Sequence, residues 1–253
     1  MKRVVVTGGA AGIGLAMARA FLEDGAKVAI CDMDPEAVAS FALEHPACIA
    51  QVADVTDEIS MDRFLALVEA QWGGADVVCA NAGTGGPAGQ IENLDYEEWQ
   101  KCIATNLFGA FLTCRWAAKV MRAQGSGVIL LTSSTAGTHG YPLRSPYAAA
   151  KWGIVGLTKT LAMELGDAGV RVNTICPGSV TGDRMERVLA NEAKARGTST
   201  EVVRQSYVKG VSMKTWVSAE DVAASALFLA SDGARKISGQ ILAVDGSTET
   251  LAT

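Results

Sequence analysis

Histidine, proline and clustered basic residues are scarce in this 253-residue sequence. Its two histidines, His45 and His139, and its 6 cysteines show no spacing typical of a metal site, so we expect no bound metal. Acidic residues outnumber basic ones by 27 to 22, and the net charge of −5 disfavours nucleic acid and anionic membrane surfaces as partners. No apolar run reaches the roughly 18 residues of a membrane span. We therefore expect a cytoplasmic protein that acts on a small molecule.

Short apolar runs alternate with helical patterns along the chain. The runs are rich in Val, Ile, Ala and Cys, which is typical of strands covered by helices on both faces. This alternation predicts an α/β fold, a doubly wound Rossmann-type sheet of about seven mostly parallel strands with helices on both faces. The predicted strands are 3–7, 27–31, 48–52, 76–80, 128–132, 171–176 and 240–244. The predicted helices include 13–24, 57–72, 96–124 and 221–230.

No change of composition marks a second domain. We expect a single dinucleotide-binding and catalytic domain over 1–253. The segment 182–215 is polar and lacks a strand pattern, and it contains Arg184 and Arg187. It is predicted to be a helical insertion that forms a lid over the substrate.

The sequence has 27 glycines, and several of them follow the first predicted strand. The turn Thr7-Gly8-Gly9-Ala10-Ala11-Gly12-Ile13-Gly14 opens directly into a helix. Glycines let the backbone approach a pyrophosphate, and the helix N-terminus offers free N–H groups and a partial positive charge. A glycine-rich turn alone can be a mere tight connection. Here Asp32 also ends the second strand, where a carboxylate can accept hydrogen bonds from an adenosine ribose, so a dinucleotide is predicted.

The charge around the second strand selects between two dinucleotides. No Lys or Arg occurs between Val28 and Asp62, so nothing nearby would neutralise a 2′-phosphate, and Asp32 would repel one. NAD is therefore the predicted cofactor. The alternative is that Asp32 only caps a turn together with Asp34.

Tyr147 and Lys151 are separated by one helical turn. Ser145 and Pro146 resemble a cap followed by a first-turn proline, which predicts a helix with both side chains on one face. A cation within about 4–6 Å favours the phenolate of a tyrosine, whose ordinary pKa is near 10. Tyr147 could then act as a base, although an isolated pair at this spacing is usually a solvated surface.

These motifs resemble the short-chain dehydrogenase/reductase superfamily over essentially the whole chain. The glycine loop, with Gly8, Gly12, Ile13 and Gly14, matches the cofactor loop of the family. Asp54-Val55 resembles its adenine-contacting pair, and Asn81-Ala82-Gly83 resembles its motif beside the central sheet. Thr105-Asn106-Leu107 resembles its asparagine motif, and Pro177-Gly178 with Val180 resembles the segment that flanks the nicotinamide. Gly182 departs from the family, which often has threonine there.

The resemblance implies a role for each catalytic residue. Tyr147 would be the general acid or base, and the family spacing selects Ser134 rather than Ser133 to hold the substrate oxygen. Lys151 would lower the pKa of Tyr147 and bind the nicotinamide ribose, and Asn106 would hold a water that links Lys151 to solvent. The implied reaction is hydride transfer between NAD and a secondary alcohol or ketone, of polyol, sugar or hydroxy-acid type.

Other functions and properties remain open at the level of sequence. The scaffold is shared with reductases of 3-oxoacyl thioesters, which usually employ NADPH, and a non-catalytic NAD-binding protein could retain the glycine loop alone. The resemblance also implies a homotetramer. Arg144, three residues before Tyr147, could bind an anionic substrate, but a surface or interface salt bridge is the favoured interpretation.

Overall fold

Seven parallel strands form the central sheet of the structure, a computed structural model that describes residues 1–251. The order of strands across the sheet is β3-β2-β1-β4-β5-β6-β7, and every neighbouring pair is parallel. The predicted sheet is therefore confirmed, with strand ends that shift by one residue in most cases. The strands are β1 Arg3–Thr7, β2 Lys27–Asp32, β3 Ile49–Val52, β4 Val77–Ala80, β5 Gly127–Thr132, β6 Val170–Pro177 and β7 Ile241–Val244.

Helices cover both faces of the sheet, as predicted. On one face α3, α5 and α6 pack on the strands through residues such as Phe64 and Ile154, and on the other α1, α2 and α9 pack through residues such as Phe21 and Leu229. The helices are α1 Gly12–Glu23, α2 Pro35–Glu44, α3 Glu58–Trp72, α4 Tyr96–Ile103, α5 Gly109–Gln124, α6 Ser145–Leu165, α7 Asp183–Arg196, α8 Thr200–Lys209 and α9 Ala219–Ala230.

The predicted helix 96–124 is interrupted by a π-helical turn. The turn covers Ala104–Phe108 and joins α4 to α5. Within it, the Thr105 hydroxyl donates to the carbonyl of Lys101 at 3.0 Å, and Asn106 Nδ2 donates to the carbonyl of Cys102 at 2.9 Å. Such turns inside α-helices are frequent at functional sites.

The start of α6 differs from the prediction. Ser145 is the first helical residue, and Arg144 occupies the cap position without a side-chain capping bond. The predicted cap at Ser145 is therefore wrong, although Pro146 still lies in the first turn. The reason is the preceding backbone, because Leu143 has a φ of +63° and turns the chain one residue earlier. Ser218 and Asp221 form a capping box at the start of the helix Ala219–Ala230.

The order of the strands places a crevice at the carboxyl ends of β1 and β4. The chain leaves β1 in one direction through β2 and β3 and returns to β4 on the other side. At such a switch point the connecting loops diverge, and ligands of doubly wound sheets bind there. The segment 182–215 follows β6 and forms α7 and α8, which pack together through Leu189, Ala193 and Val203.

Candidate active site

The loop between β1 and α1 has no room for side chains at three of its glycines, Gly8, Gly9 and Gly14. Gly8 has a φ of +62°, and a methyl group there would lie 2.9 Å from the Cα atom of Ala82. A methyl group on Gly14 would overlap the carbonyl group of Gly8. Gly12 has a φ of +52° and faces open space at the N-terminus of α1, where the N–H groups have no helical partners. The loop thus presents bare backbone and a positive dipole end, which suits a pyrophosphate.

Thr7 and Asn81 fix this loop against the end of β4. Thr7 Oγ1 accepts the backbone N–H groups of Asn81 at 3.1 Å and of Ala82 at 3.2 Å. Asn81 Nδ2 donates to the carbonyl oxygens of Thr7 at 3.2 Å and Gly8 at 3.4 Å. The Thr132 hydroxyl donates to Asn81 Oδ1 at 3.1 Å. Thr7 and Thr132 were missed as site residues, although each is a hydroxyl residue that ends a strand at the predicted ligand edge.

Asp32 lies at the end of β2 beside the glycine loop. Its Oδ2 accepts the N–H of Ala10 at 3.2 Å, and its Oδ1 accepts the N–H of Asp34 at 3.3 Å. The side chain that caps α2 is Asp34, which accepts the N–H groups of Glu36 and Ala37. Asp32 is half-buried and forms no ion pair within residues 1–251. Its carboxylate is therefore near the glycine loop and has no neutralising cation there.

Asp54 and Val55 follow β3 on the same edge of the sheet. Asp54 is exposed, and its Oδ1 accepts both the N–H and the hydroxyl of Thr56 at 2.8 Å. Val55 is buried against Gly109 at the start of α5. The two residues form a fixed turn beside the crevice.

Pro177, Gly178 and Val180 lie at the opposite end of the crevice. The N–H of Gly178 donates to the carbonyl of Val244 at 2.9 Å, and a methyl group on Gly178 would lie 2.9 Å from the Cα atom of Asp245. Val180 forms a parallel β-bridge with Val217. This segment is held by β7 and by the residues before α9. Ile13, on α1, packs against the apolar core beneath the glycine loop.

The four residues predicted to be catalytic come together from three elements. Tyr147 and Lys151 lie in the first two turns of α6, Ser134 follows β5, and Asn106 lies in the π turn. Lys151 Nζ donates to the carbonyl of Thr132 at 2.8 Å and lies 5.6 Å from the centroid of the Tyr147 ring.

The two neighbouring serines have different surroundings. The Ser133 hydroxyl donates to the carbonyl of Lys151 at 2.8 Å, so it joins α6 to β5. Ser134 Oγ accepts the N–H of Ala136 at 3.1 Å, and the Ser134 hydroxyl helps to lower the pKa of Tyr147. Of the two serines, Ser134 is therefore the one that acts on the phenol.

The surroundings of Tyr147 favour loss of its proton. Burial raises the pKa of Tyr147, but the Lys151 ammonium, the Arg184 guanidinium, the Ser134 hydrogen bond and the Arg144 guanidinium together outweigh burial and hold the pKa below its ordinary value. Burial also lowers the pKa of Lys151, with Arg184 acting in the same direction and Tyr147 opposing it. The site therefore combines a half-buried phenol with several nearby cations.

Asn106 and Lys151 both lie close to the backbone of Gly83. Asn106 Nδ2 donates to the carbonyls of Thr84 at 3.0 Å and Cys102 at 2.9 Å, while its buried Oδ1 has no hydrogen-bond partner in the described part of the chain. A methyl group on Gly83 would lie 2.6 Å from this Oδ1 and 3.4 Å from Lys151 Nζ. The lack of a side chain at Gly83 therefore lets an unpaired acceptor and an ammonium approach the same stretch of backbone.

Arg144 lies inside the site and not on the surface. It is only 2% exposed, and its guanidinium lies 5.4 Å from the centroid of the Tyr141 ring and 5.5 Å from that of Tyr147. The surface salt bridge favoured from the sequence is therefore wrong. The loop before α6 encloses the side chain, and such burial depends on tertiary contacts that sequence spacing does not reveal.

Comparisons with known proteins agree with this arrangement. A sequence-family profile described as enoyl-(acyl carrier protein) reductase matches residues 8–247. The chain is 36% identical over 258 residues to the D-beta-hydroxybutyrate dehydrogenase of Rhizobium meliloti (strain 1021), with 97% of each chain covered. It is 32% identical over 249 residues to the levodione reductase of Leifsonia aquatica, covering 96% of this chain and 92% of that one.

Solved structures show the same similarity. The structure of NAD+-bound xylitol dehydrogenase matches with a TM-score of 0.92 at 28% identity, covering 97% of this chain and 98% of that one. The fold, the site and these relatives define an oxidoreductase. Within that class, the chain belongs to the short-chain dehydrogenase/reductase superfamily. No helix in residues 1–251 is long and apolar enough to cross a membrane.

Proposed function

We propose that this protein interconverts a secondary alcohol and its ketone with NAD(H), with Tyr147 as the general acid and base. The observation that carries this proposal is the convergence of Tyr147, Lys151, Ser134 and Asn106 at the carboxyl edge of the sheet, beside a glycine loop. The relatives include a hydroxy-acid dehydrogenase and a polyol dehydrogenase, which supports the same class of reaction.

The residues at the crevice fit a dinucleotide. Bare backbone at Gly8, Gly12 and Gly14 would hold the pyrophosphate, and Asp32 would accept hydrogen bonds from the adenosine ribose. The remaining proposed contacts are Ile13, Asp54, Val55, Asn81, Ala82, Gly83, Pro177, Gly178 and Val180, with Tyr147 and Lys151 at the nicotinamide ribose. When bound, the nicotinamide supplies hydride acceptance and donation.

Tyr147 and Ser134 would act on the substrate oxygen. In the oxidation direction, the Tyr147 phenolate takes the hydroxyl proton while Ser134 holds the same oxygen by a hydrogen bond. Lys151 and the other nearby cations lower the pKa of Tyr147, which makes its phenolate easier to form than that of a free tyrosine. In the reduction direction, the Tyr147 hydroxyl returns the proton to the carbonyl oxygen.

The proton on Tyr147 would leave through Lys151 and Asn106. Lys151 Nζ is fixed by the carbonyl of Thr132, and both this ammonium and the unpaired Asn106 Oδ1 lie close to the backbone of Gly83. A water molecule bound to Asn106 Oδ1 would satisfy this acceptor and pass protons from Lys151 towards solvent.

NAD is the proposed cofactor in preference to NADP. The support is the Asp32 carboxylate, which is near the glycine loop, and the lack of Lys and Arg between residues 28 and 62. Structural relatives include one bound to NAD+ and one, the actinorhodin polyketide ketoreductase, with NADPH. Steady-state kinetics with both dinucleotides tests the choice, and a higher kcat/KM with NADP(H) would refute it.

Reduction of a 3-oxoacyl thioester is the second candidate. It is favoured by the similarity to the 3-oxoacyl-[acyl-carrier-protein] reductase FabG of Chlamydia trachomatis, which is 35% identical over 250 residues. An assay with acetoacetyl-CoA and either NADH or NADPH separates the two candidates, because the first predicts faster turnover of small alcohols and ketones.

We also propose a single catalytic domain whose segment 182–215 covers the substrate, and assembly into a homotetramer. The support for assembly is an exposed apolar patch on one side of α5 and α6, which includes Phe108 at 56% and Phe111 at 47% exposure. Light scattering coupled to size exclusion tests the oligomeric state, and a monomer would contradict it.

Replacing Tyr147 tests the central proposal. Tyr147→Phe removes only the hydroxyl, so we expect kcat to fall by about 10²–10⁴-fold while the affinity for NADH changes little. Tyr96→Phe is the matched control, because Tyr96 is exposed and lies away from the site. Activity of Tyr147→Phe close to that of the wild type would exclude Tyr147 as the acid and base.

A further inference from the structure

Arg144 is a buried cation with incomplete hydrogen bonding. Its Nη2 donates to the carbonyl of Gly85 at 2.5 Å, whereas its buried Nε has no hydrogen-bond partner in the described chain. A guanidinium has five N–H donors and keeps its charge at all ordinary pH values. Such a group is costly to bury unless an anion compensates it.

No carboxylate of residues 1–251 supplies this compensation. No Asp or Glu in that range lies within 4.0 Å of the Arg144 guanidinium, and the buried Glu192, on α7, is paired with Arg196 at 2.5 Å. The charges that act on Tyr147 are all positive, since Lys151 and Arg184 act on its phenol together with Arg144. The site therefore carries an excess of positive charge around the reacting phenol.

The position of Arg144 is fixed by neighbouring backbone. A methyl group on Gly85 would lie 2.9 Å from Arg144 Nη2 and 3.2 Å from a methyl carbon of Val188 on α7, so the bare backbone of Gly85 lets both the guanidinium and α7 approach the loop after β4. The N–H of Gly89 donates to the carbonyl of Leu143, whose φ is +63°. Two of the loop glycines thus contact Arg144 or the residue before it.

We propose that Arg144 binds an anionic group of the substrate, so that the enzyme acts on a short hydroxy acid or its keto acid. The proposal rests on the proposed function, because it concerns the substrate of that same site. A carboxylate, a sulfonate and a phosphate share the planar or forked oxygens that a guanidinium binds through two donors. The exposed Arg184 on α7 would add a second positive charge at the entrance.

The geometry also restricts the length of the substrate. The Arg144 guanidinium lies 5.5 Å from the centre of the Tyr147 ring, and Tyr147 must contact the reacting oxygen. The anionic group must therefore lie only a few bonds from the reacting carbon. A long acyl chain with a distant carboxylate would not reach both residues at once.

Matched pairs of alcohols test the proposal. The kcat/KM of the wild type is measured with 3-hydroxybutyrate and with uncharged 3-hydroxybutanamide, and in parallel with 2-hydroxypropanesulfonate and 2-hydroxypropyl phosphate. We expect at least one anionic alcohol to exceed the amide by about 100-fold, the range typical of a buried charge pair. Arg144→Gln should lower this ratio to near 1. Lys194→Gln, which removes an exposed charge from α7, should leave the ratio unchanged.

A binding measurement covers the case in which none of these alcohols is turned over or Arg144→Gln is unstable. Propionate, methanesulfonate, inorganic phosphate and uncharged propionamide are titrated into the NADH-loaded wild type by calorimetry. Tighter binding of an anion than of propionamide supports the proposal, and the arms distinguish the three acids. Equal or absent binding overturns it, as does an equal loss of activity for acid and amide in Arg144→Gln.

The failure of this inference is distinguishable from failure of the proposed function. If Tyr147→Phe remains active, the assignment of the reaction fails whatever the charge of the substrate. If neutral alcohols are the better substrates and require Tyr147, the reaction stands and only the role of Arg144 is refuted.

Discussion

Gly14→Ala tests whether the loop after β1 binds a dinucleotide. A methyl group at this position would lie 2.7 Å from the carbonyl carbon of Gly8 and 2.7 Å from Asn81 Nδ2, and it would overlap the Gly8 carbonyl oxygen. Ordinary contacts begin near 3.4 Å, so these atoms must separate by about 0.7 Å or more (3.4 − 2.7). The weak bond from Asn81 Nδ2 to the Gly8 carbonyl, 3.4 Å long, offers little resistance to that movement.

The expected effect is a loss of cofactor affinity. A hydrogen bond between a backbone N–H and a charged phosphate contributes about 1.5–3 kcal/mol, so displacement of one such N–H raises the Kd for NADH by about 10- to 100-fold. The Kd is measured by NADH fluorescence, with circular dichroism to establish folding. Gly25→Ala is the control, because Gly25 has a φ of +80° but open space, so we expect a stability loss of about 1–2 kcal/mol and no change in Kd. A folded Gly14→Ala protein with wild-type affinity would refute the reasoning.

Three further predictions concern charge. The rate of alcohol oxidation should rise with pH through the pKa of Tyr147, which lies below its ordinary value of about 10. Lys151→Met should move this inflection of the kcat/KM profile to higher pH, and an unchanged inflection would contradict the effect of Lys151 on Tyr147. Asp32→Ala removes repulsion worth about 1–4 kcal/mol at roughly 4 Å, so the ratio of kcat/KM for NADP to that for NAD should rise by at least about 5-fold, and no rise would exclude Asp32 as the selective residue. Burial raises the pKa of Asp76, but the hydrogen bonds from the side chain and backbone of Arg3, together with its charge, outweigh burial and hold this pKa below its ordinary value. The Asp76 carboxylate therefore stabilises the fold at pH values above its unfolded pKa, and that stability is lost as the pH falls through its folded pKa. Asp76→Asn should lower the free energy of unfolding by about 1–2 kcal/mol at pH 7 in urea denaturation, and a loss as large at pH 3 would contradict this assignment.

The sheet was predictable because its strands are buried on both faces. Segments such as Val128 to Thr132 are apolar at nearly every position, which sets them apart from the amphipathic helices. The π turn was not predictable, because Ala104–Phe108 contains no glycine or proline that would mark an interruption of the helix. Its geometry depends on the loop after β4, whose Thr84 carbonyl accepts a hydrogen bond from Asn106.

The candidate site likewise has one part that the sequence predicts and one part that it does not. The pairing of Tyr147 with Lys151 follows from helical periodicity and could be inferred from the spacing alone. The burial of Arg144 could not, since a charged residue in a loop is usually exposed and its burial here depends on Tyr141 and on the absence of a side chain at Gly85.

The π turn also sets an angular offset within a long helical segment. An α-helix advances about 100° per residue, so one additional residue in a π turn rotates everything after it by that angle relative to everything before it. Deleting one residue from Ala104–Phe108 would restore a regular α-helix, but Asn106 could not then face Gly83 while Cys114 and Ala117 remain packed on the sheet. The residues of α4 and those of α5 therefore follow two helical periodicities that differ by this angle. A sequence designed with one continuous periodicity would direct the apolar residues of one of these two helices away from the core.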